Sequence, residues 1–435
     1  MWGKRRPDRP ASDPAAQQAA AGTGQGADSR PPACRDGARR TGVMLTLGFG
    51  TAVVAGITGL AVIATSQAGP SGHAKSVLDG MAHPAVGRAG AGAAQPGRAT
   101  AGLKVESVTP SAGAAAASGV DPVQVTFSAP IAAHSAWPAL VPSVHGQWQV
   151  SGRTLIFTPD LPLNPSTRFT LRIPAGQAGI QSAAGGELAR PMTVRFRTAA
   201  YSQLRLAELL GQLGYLPMSW QSTAGGRLVG GMSASGLAAQ QLMAYSPPPG
   251  SFSWRSGYPA MLHSQWRRGR SSPIVRGAVM AFQAQHGLAI NGVAGRKVWH
   301  ALFTAADQGA RNKAGYTYAI ASKGSPETLT IWHDGGIVLR TLANTGIPVA
   351  PTAAGTYPVY LRYRFQVMQG TNPDGSHYAD PVSFVSYFDG GEAVHYFPRG
   401  SYGFEQSLGC VELPYSAAER AWPYLTYGSL VTVTG

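Results

Sequence analysis

Cysteine is the scarcest reactive residue in this chain, with two in 435 positions, Cys34 and Cys410. So few thiols rule out a disulfide scaffold. No Cys/His cluster has zinc-ligand spacing, and no glycine-rich loop is built to cradle phosphate, so no metal or cofactor is expected. Charge is also sparse: only 13% of residues are Asp, Glu, Lys or Arg, against 44% hydrophobic residues. That balance can fill cores and is too apolar for wholesale disorder. The few charges are uneven, with 35 Lys and Arg against 20 Asp and Glu and a net +15. A basic chain favours an anionic partner. Long basic runs beyond the N-terminus and nucleic-acid-binding motifs are both missing, so no nucleic acid is expected and an anionic cell wall is the remaining candidate. At roughly 100–200 residues per domain the length predicts several domains.

Residues 41–74 contain no Lys, Arg, Asp or Glu, and within them residues 43–64 form a mostly apolar run. A helix needs about 20 such residues to cross a bilayer, so 41–65 is predicted as one transmembrane helix. Arg39 and Arg40 precede it directly, which orients the N-terminus to the cytoplasm and the rest of the chain outside. A cleaved signal peptide is the alternative, but its apolar region is only about 7–15 residues. Residues 1–40, rich in Arg, Pro, Ala and Gly, read as a disordered cytoplasmic tail. Residues 66–102, rich in Gly and Ala, read as a flexible linker.

Residues 103–198 change character. Short runs such as VQVTF, TLIFTP and RFTLRI alternate apolar and polar residues between Pro and Gly, which predicts an all-β sandwich. Their order resembles bacterial Ig-like domains, and Trp137 and Trp148 are expected to pack. Residues 201–305 are read as a small α-helical domain. Leu206, Leu209, Leu210 and Leu213 share one helix face. With the stretch at 275–302 they resemble the peptidoglycan-binding helical domain, interrupted by an insertion at 217–272. Residues 315–435 are mostly β, with one helix expected at 416–425.

Placed outside the membrane, Cys410 cannot pair with cytoplasmic Cys34. A lone thiol in a secreted domain suggests reactivity, whereas a free cysteine elsewhere is often an inert core residue. Gly409 allows a tight turn that can present the thiol and nearby N–H groups. A histidine beside a thiol raises its thiolate fraction and can return the proton to a leaving amine. His395 lies fifteen residues upstream in a strand-like segment. His377 in GTNPDGSHY and His333 before Asp334-Gly335-Gly336 are the other histidines considered; the first reads as surface and the second as part of a hairpin.

The segments TLTIWHDGGIVLRTLANTG, APTAAGTYPV, AVHYF and SLGCVEL, in that order, resemble an L,D-transpeptidase catalytic domain of the YkuD type. The resemblance implies Cys410 as nucleophile, His395 as base and then acid, Ser407 shaping the motif by hydrogen bonding near the histidine, and N–H groups around Gly409 and Cys410 stabilising an oxyanion. It implies peptidoglycan stem peptides as substrate, a thioester on Cys410, release of D-alanine from a tetrapeptide stem and a 3→3 cross-link, all without a cofactor. Tyr378 and Tyr357 are the weaker candidates for the substrate cleft. The chain departs from the family at Leu408, where His or Lys is frequent, and at Glu412, where Arg or Asn is frequent. Glu412 would place a negative charge beside the nucleophile unless it pairs with Arg399 or Arg420. The same nucleophile could serve a carboxypeptidase, and a non-catalytic wall-binding protein is the reading from another class.

Overall fold

The computed structural model describes residues 102–223 and 236–435. The expected cytoplasmic tail, membrane helix and nearly all of the linker lie outside the described residues. Among the described residues no helix is long and apolar enough to cross a membrane.

The first seven strands are β1 (Val105–Thr109), β2 (Val123–Phe127), β3 (Ala139–Val141), β4 (Gly146–Ser151), β5 (Thr154–Pro159), β6 (Arg168–Ile173) and β7 (Met192–Arg197). They form two sheets, in the orders β1-β2-β5-β4 and β3-β6-β7. Strand side chains alternate faces. Accordingly β2 buries Val123, Val125 and Phe127 while β6 buries Phe169, Leu171 and Ile173, and these meet in one core. Trp137 and Trp148 stack on each other with ring centroids 6.5 Å apart, and Trp148 also packs on Phe157.

Next come α1 (Gln203–Gln212), β8 (Met218–Ser222), α2 (Leu237–Tyr245), β9 (Gly250–Trp254), α3 (Ala260–Ser264), α4 (Pro273–Gln285) and α5 (Arg296–Asp307). The region is more than the helices read from its sequence. The stretch 217–272 contains an antiparallel strand pair, in which Met218 faces Trp254 and Trp220 faces Phe252. MSWQS and GSFSW place a large apolar residue at every second position, which is the period of a strand rather than a helix. Leu206, Leu210, Ile274, Phe282, Leu302 and Phe303 build the core, and that core continues into the next domain through Tyr316, Tyr318 and Leu430. Helix α4 seats directly on backbone there. A Cβ on Gly277 would lie 2.5 Å from the Gly428 carbonyl oxygen, so glycine is what permits the approach.

The last domain has β10 (Thr317–Ser322), β11 (Thr328–His333), β12 (Gly336–Leu342), β13 (Gly355–Pro358), β14 (Leu361–Thr371), β15 (His377–Asp389), β16 (Glu392–Tyr396), β17 (Val411–Leu413), α6 (Tyr415–Ala421) and β18 (Leu430–Thr434). One sheet runs β12-β11-β10-β18-β13 and the other β14-β15-β16-β17. Ala319, Ile331 and Val431 of the first meet Phe384, Val394 and Leu413 of the second, with α6 contributing Ala417 and Ala418. Helix α6 stops short of the expected 425. Pro423 follows closely, and the residue before a proline is biased away from helix.

Candidate active site

Strands β16 and β17 run parallel, with Val394 beside Val411 and His395 beside Glu412. Val394 and Val411 point into the core between the sheets. Alternation therefore turns His395 and Glu412 to the opposite face, and Cys410, two residues before Glu412, joins them. Strand β15 adds Tyr378, Asp380 and Val382 at the same two-residue spacing, and β14 brings Met368 opposite Asp380. These side chains, with Ser407, Leu408 and Phe397, line one narrow cleft. His377 and His333 lie outside it. His377 begins β15 exposed, and His333 ends β11 with Nδ1 3.0 Å from the Thr317 hydroxyl.

Cys410 and His395 are each only 3% exposed. The Cys410 thiol points toward the Gly391 carbonyl, with Sγ 3.9 Å from its oxygen. His395 Nδ1 sits 3.0 Å from the carbonyl oxygen of Tyr396. A carbonyl only accepts, so Nδ1 carries the proton and Nε2 keeps the basic lone pair. Held this way, the imidazole presents an acceptor nitrogen in the same cleft as the thiol.

Ser407 and Gly409 shape the turn before the nucleophile. The Ser407 hydroxyl donates to the Cys410 carbonyl at 2.6 Å and accepts the Gly409 N–H at 3.1 Å. The serine thus ties the turn to the Cys410 carbonyl, and the Gly409 N–H closes onto the same hydroxyl. The hydroxyl is in reach because Gly409 adopts φ +120°, a conformation that side-chain-bearing residues rarely take.

Residues 316–433 match the L,D-transpeptidase catalytic domain. Residues 99–198 match the bacterial Ig-like domain and residues 255–302 a peptidoglycan binding domain. The last match leaves out the leucine-rich opening of α1. Among solved structures, an L,D-transpeptidase from Mycobacterium smegmatis is 15% identical, covering 77% of this chain and 99% of that one, with a TM-score of 0.26. L,D-transpeptidase 3 from Mycobacterium tuberculosis is 15% identical over 76% of this chain and 98% of its own, with a TM-score of 0.26. The catalytic domain of the E. faecium L,D-transpeptidase is 26% identical, covering 28% of this chain and 100% of that one, with a TM-score of 0.26. Comparison with curated proteins gives no match.

Within the transpeptidase domain the remaining candidates separate. Leu408, Tyr378 and Glu412 line the cleft, whereas Tyr357 does not. Tyr357 lies on β13, where its hydroxyl donates to the Ala354 carbonyl at 3.0 Å. The neighbouring Thr352 is a staple: its hydroxyl accepts the Gly346 N–H at 2.8 Å. The charge at Glu412 is answered by Arg399, not Arg420. Arg399 Nε and Nη2 each donate to the Glu412 carboxylate at 2.7 Å, and the guanidinium lies 4.7 Å from the Phe397 ring centre. The pair is nearly buried, with side chains 10% and 5% exposed. Removing one member of such a pair strands the other charge out of water. Arg399→Ala is therefore expected to destabilise the transpeptidase domain by about 3 kcal/mol, the low end of what such losses cost because some water reaches the arginine. Chemical denaturation checks it, and Arg399→Ala/Glu412→Gln should recover much of the loss.

Asp380 is the cleft residue that sequence reasoning did not single out. Burial pushes its carboxyl above the usual range; Arg399 and His395 pull it back and Glu412 pushes it further up. Its only signal in the sequence is the two-residue step from Tyr378, which acquires meaning once β14 and β16 are known to flank β15.

Proposed function

We propose that the chain is an L,D-transpeptidase that cross-links peptidoglycan stem peptides through a thioester on Cys410. The observation that carries the reading is the pair of Cys410 and His395 in one cleft, with the imidazole committed through Nδ1 to a backbone carbonyl. His395 Nε2 takes the Cys410 proton. The sulfur attacks the carbonyl carbon between the third and fourth residues of a tetrapeptide stem. The C–N bond breaks, the proton on His395 passes to the leaving amine, D-alanine departs and a thioester remains. The side-chain amine of another stem's third residue then attacks that carbon. The C–S bond breaks, the amine proton returns through His395 to the thiolate, and a 3→3 amide link is left. Tyr378 is the side-chain hydroxyl in the cleft suited to donate toward the developing oxyanion, and Leu408 contributes an apolar contact surface.

The same reading puts the chain on the outer side of a bacterial cell membrane, anchored by one helix at 41–65, with the match to a peptidoglycan binding domain supporting a wall location. A carboxypeptidase differs only in that water resolves the thioester.

Intact mass of the protein incubated with a disaccharide-tetrapeptide tests the proposal. The expected result is an adduct equal to the substrate less D-alanine, followed by a cross-linked dimer. A tripeptide product alone would transfer the assignment to a carboxypeptidase. Substrate binding with no adduct and no product would support a wall-binding protein instead.

A further inference from the structure

We propose that Asp380 is the receptor for the ammonium group of the acceptor stem and so sets which amine resolves the thioester. The assignment rests on the transpeptidase reading above. The cleft holds two carboxylates, Asp380 and Glu412. Arg399 spends both of its inner nitrogens on Glu412 at 2.7 Å, gives a further bond from Nη2 to the Gln406 carbonyl, and covers Phe397 with its face. No hydrogen bond joins it to Asp380, on which it acts only through its charge. Among the described residues no hydrogen bond or ion pair engages the Asp380 carboxylate. Its neighbour across the strand pair is Met368, and the next cleft-facing residues of its own strand are Tyr378 and Val382. The charged and titratable groups facing it are Arg399, Glu412 and His395.

A half-buried carboxylate without a partner, beside a second acid whose arginine is already committed, is a site that a cation stabilises. Partial desolvation and the presence of Glu412 hold its carboxyl above the ordinary range, and an ammonium arriving beside it offsets both effects. The chemistry says which ammonium arrives. To form the amide, the acceptor nitrogen must come within about 3–3.5 Å of the thioester carbon on Cys410. A basic side-chain amine enters as an ammonium, and the cleft that leads to Cys410 is the one Asp380 lines. The donor carbonyl reacts without any such requirement for positive charge at this wall. Asp380 is thus a specificity-determining residue that draws in and orients an ammonium-bearing acceptor. Deprotonation and attack remain with His395 and the bound nitrogen.

The test uses full-length protein as wild type, Asp380→Asn and Asp380→Glu. Acyl-enzyme formation with a tetrapeptide donor is followed by intact mass, and capture of the thioester is then measured against two acceptors. One is a stem peptide with a side-chain ammonium; the other is hydroxylamine, a small amine that is uncharged at neutral pH. Loss of a hydrogen bond to a charged group predicts that Asp380→Asn raises the KM for the ammonium acceptor about ten- to a hundred-fold. Capture by hydroxylamine should hold within about threefold, and Asp380→Glu should recover part of the ammonium effect. Equal loss with both acceptors, or no loss with either, would overturn the assignment. Slowed acylation with normal capture would move Asp380 to the donor side and overturn it as well. If wild type forms no acyl-enzyme at all, the transpeptidase reading itself fails, and this proposal falls with it for a separately visible reason.

Discussion

Cys410→Ala is expected to abolish thioester formation and lower the rate of D-alanine release by roughly 10⁴- to 10⁶-fold, the scale on which a covalent nucleophile's removal is felt. Nothing else in the cleft can replace it. Ser407, the nearest hydroxyl in the sequence, has its oxygen occupied by the Cys410 carbonyl and the Gly409 N–H. The variant should still fold. Cys410 packs against Met368, Val382 and Ala393 in a small apolar cluster, so losing its sulfur removes only one atom's worth of contact, about 1 kcal/mol. Substrate should still bind and the melting temperature should move by a few degrees at most. Peptide release assays with calorimetry on the same sample check both halves. A variant that turned over at wild-type rate would remove Cys410 from the chemistry altogether.

His395→Asn is the second large effect. Proton transfer by a positioned histidine contributes about 10²- to 10⁴-fold, and the fall in kcat/KM should lie in that range. Asparagine keeps an N–H near the Nδ1 position for the Tyr396 carbonyl, which now binds Nδ1 at 3.0 Å, but it offers no nitrogen able to take a proton. Loss is therefore assignable to proton transfer rather than to a collapsed strand. The pH profile supplies the check. The variant's residual rate should climb as the medium becomes more alkaline, because hydroxide then draws the thiol's proton in place of the imidazole. A variant whose rate fell in parallel with wild type at every pH would make His395 a structural residue.

Cys410 and His395 could be singled out in the chain because the proposed chemistry needs a thiol and an imidazole, and residue type already narrows those to few positions. Their environment was less legible. Ser407 and Gly409 could be seen as a turn, but which group satisfies which depends on φ +120° at the glycine and on a hydroxyl folding back to Cys410. Glu412 looked like a misplaced charge until Arg399, thirteen residues upstream, was found beside it. Tyr357 sits in the right motif and the wrong sheet: β13 belongs to the layer with β18, away from the cleft. Asp380 was invisible for the converse reason, since its meaning comes from the register of β14 and β15 and no motif carries that. The β character of the sandwich and of the last domain followed from strand-like alternation, and the Ig-like reading from the resemblance in segment order. In 217–272 strands and helices interleave over stretches of only five to nine residues, too short for either period to stand out.

The apolar core shared by the α-helical region and the transpeptidase domain has a mechanical meaning. Domains strung on a chain usually swivel at modest, polar interfaces. Here Tyr316, Tyr318 and Leu430 are buried among the residues of α1, α4 and α5, while Arg255 grips Asp334 at 3.0 Å on the rim. The two regions therefore turn together as a single lever. Whatever grips the helices also sets the direction in which the cleft opens.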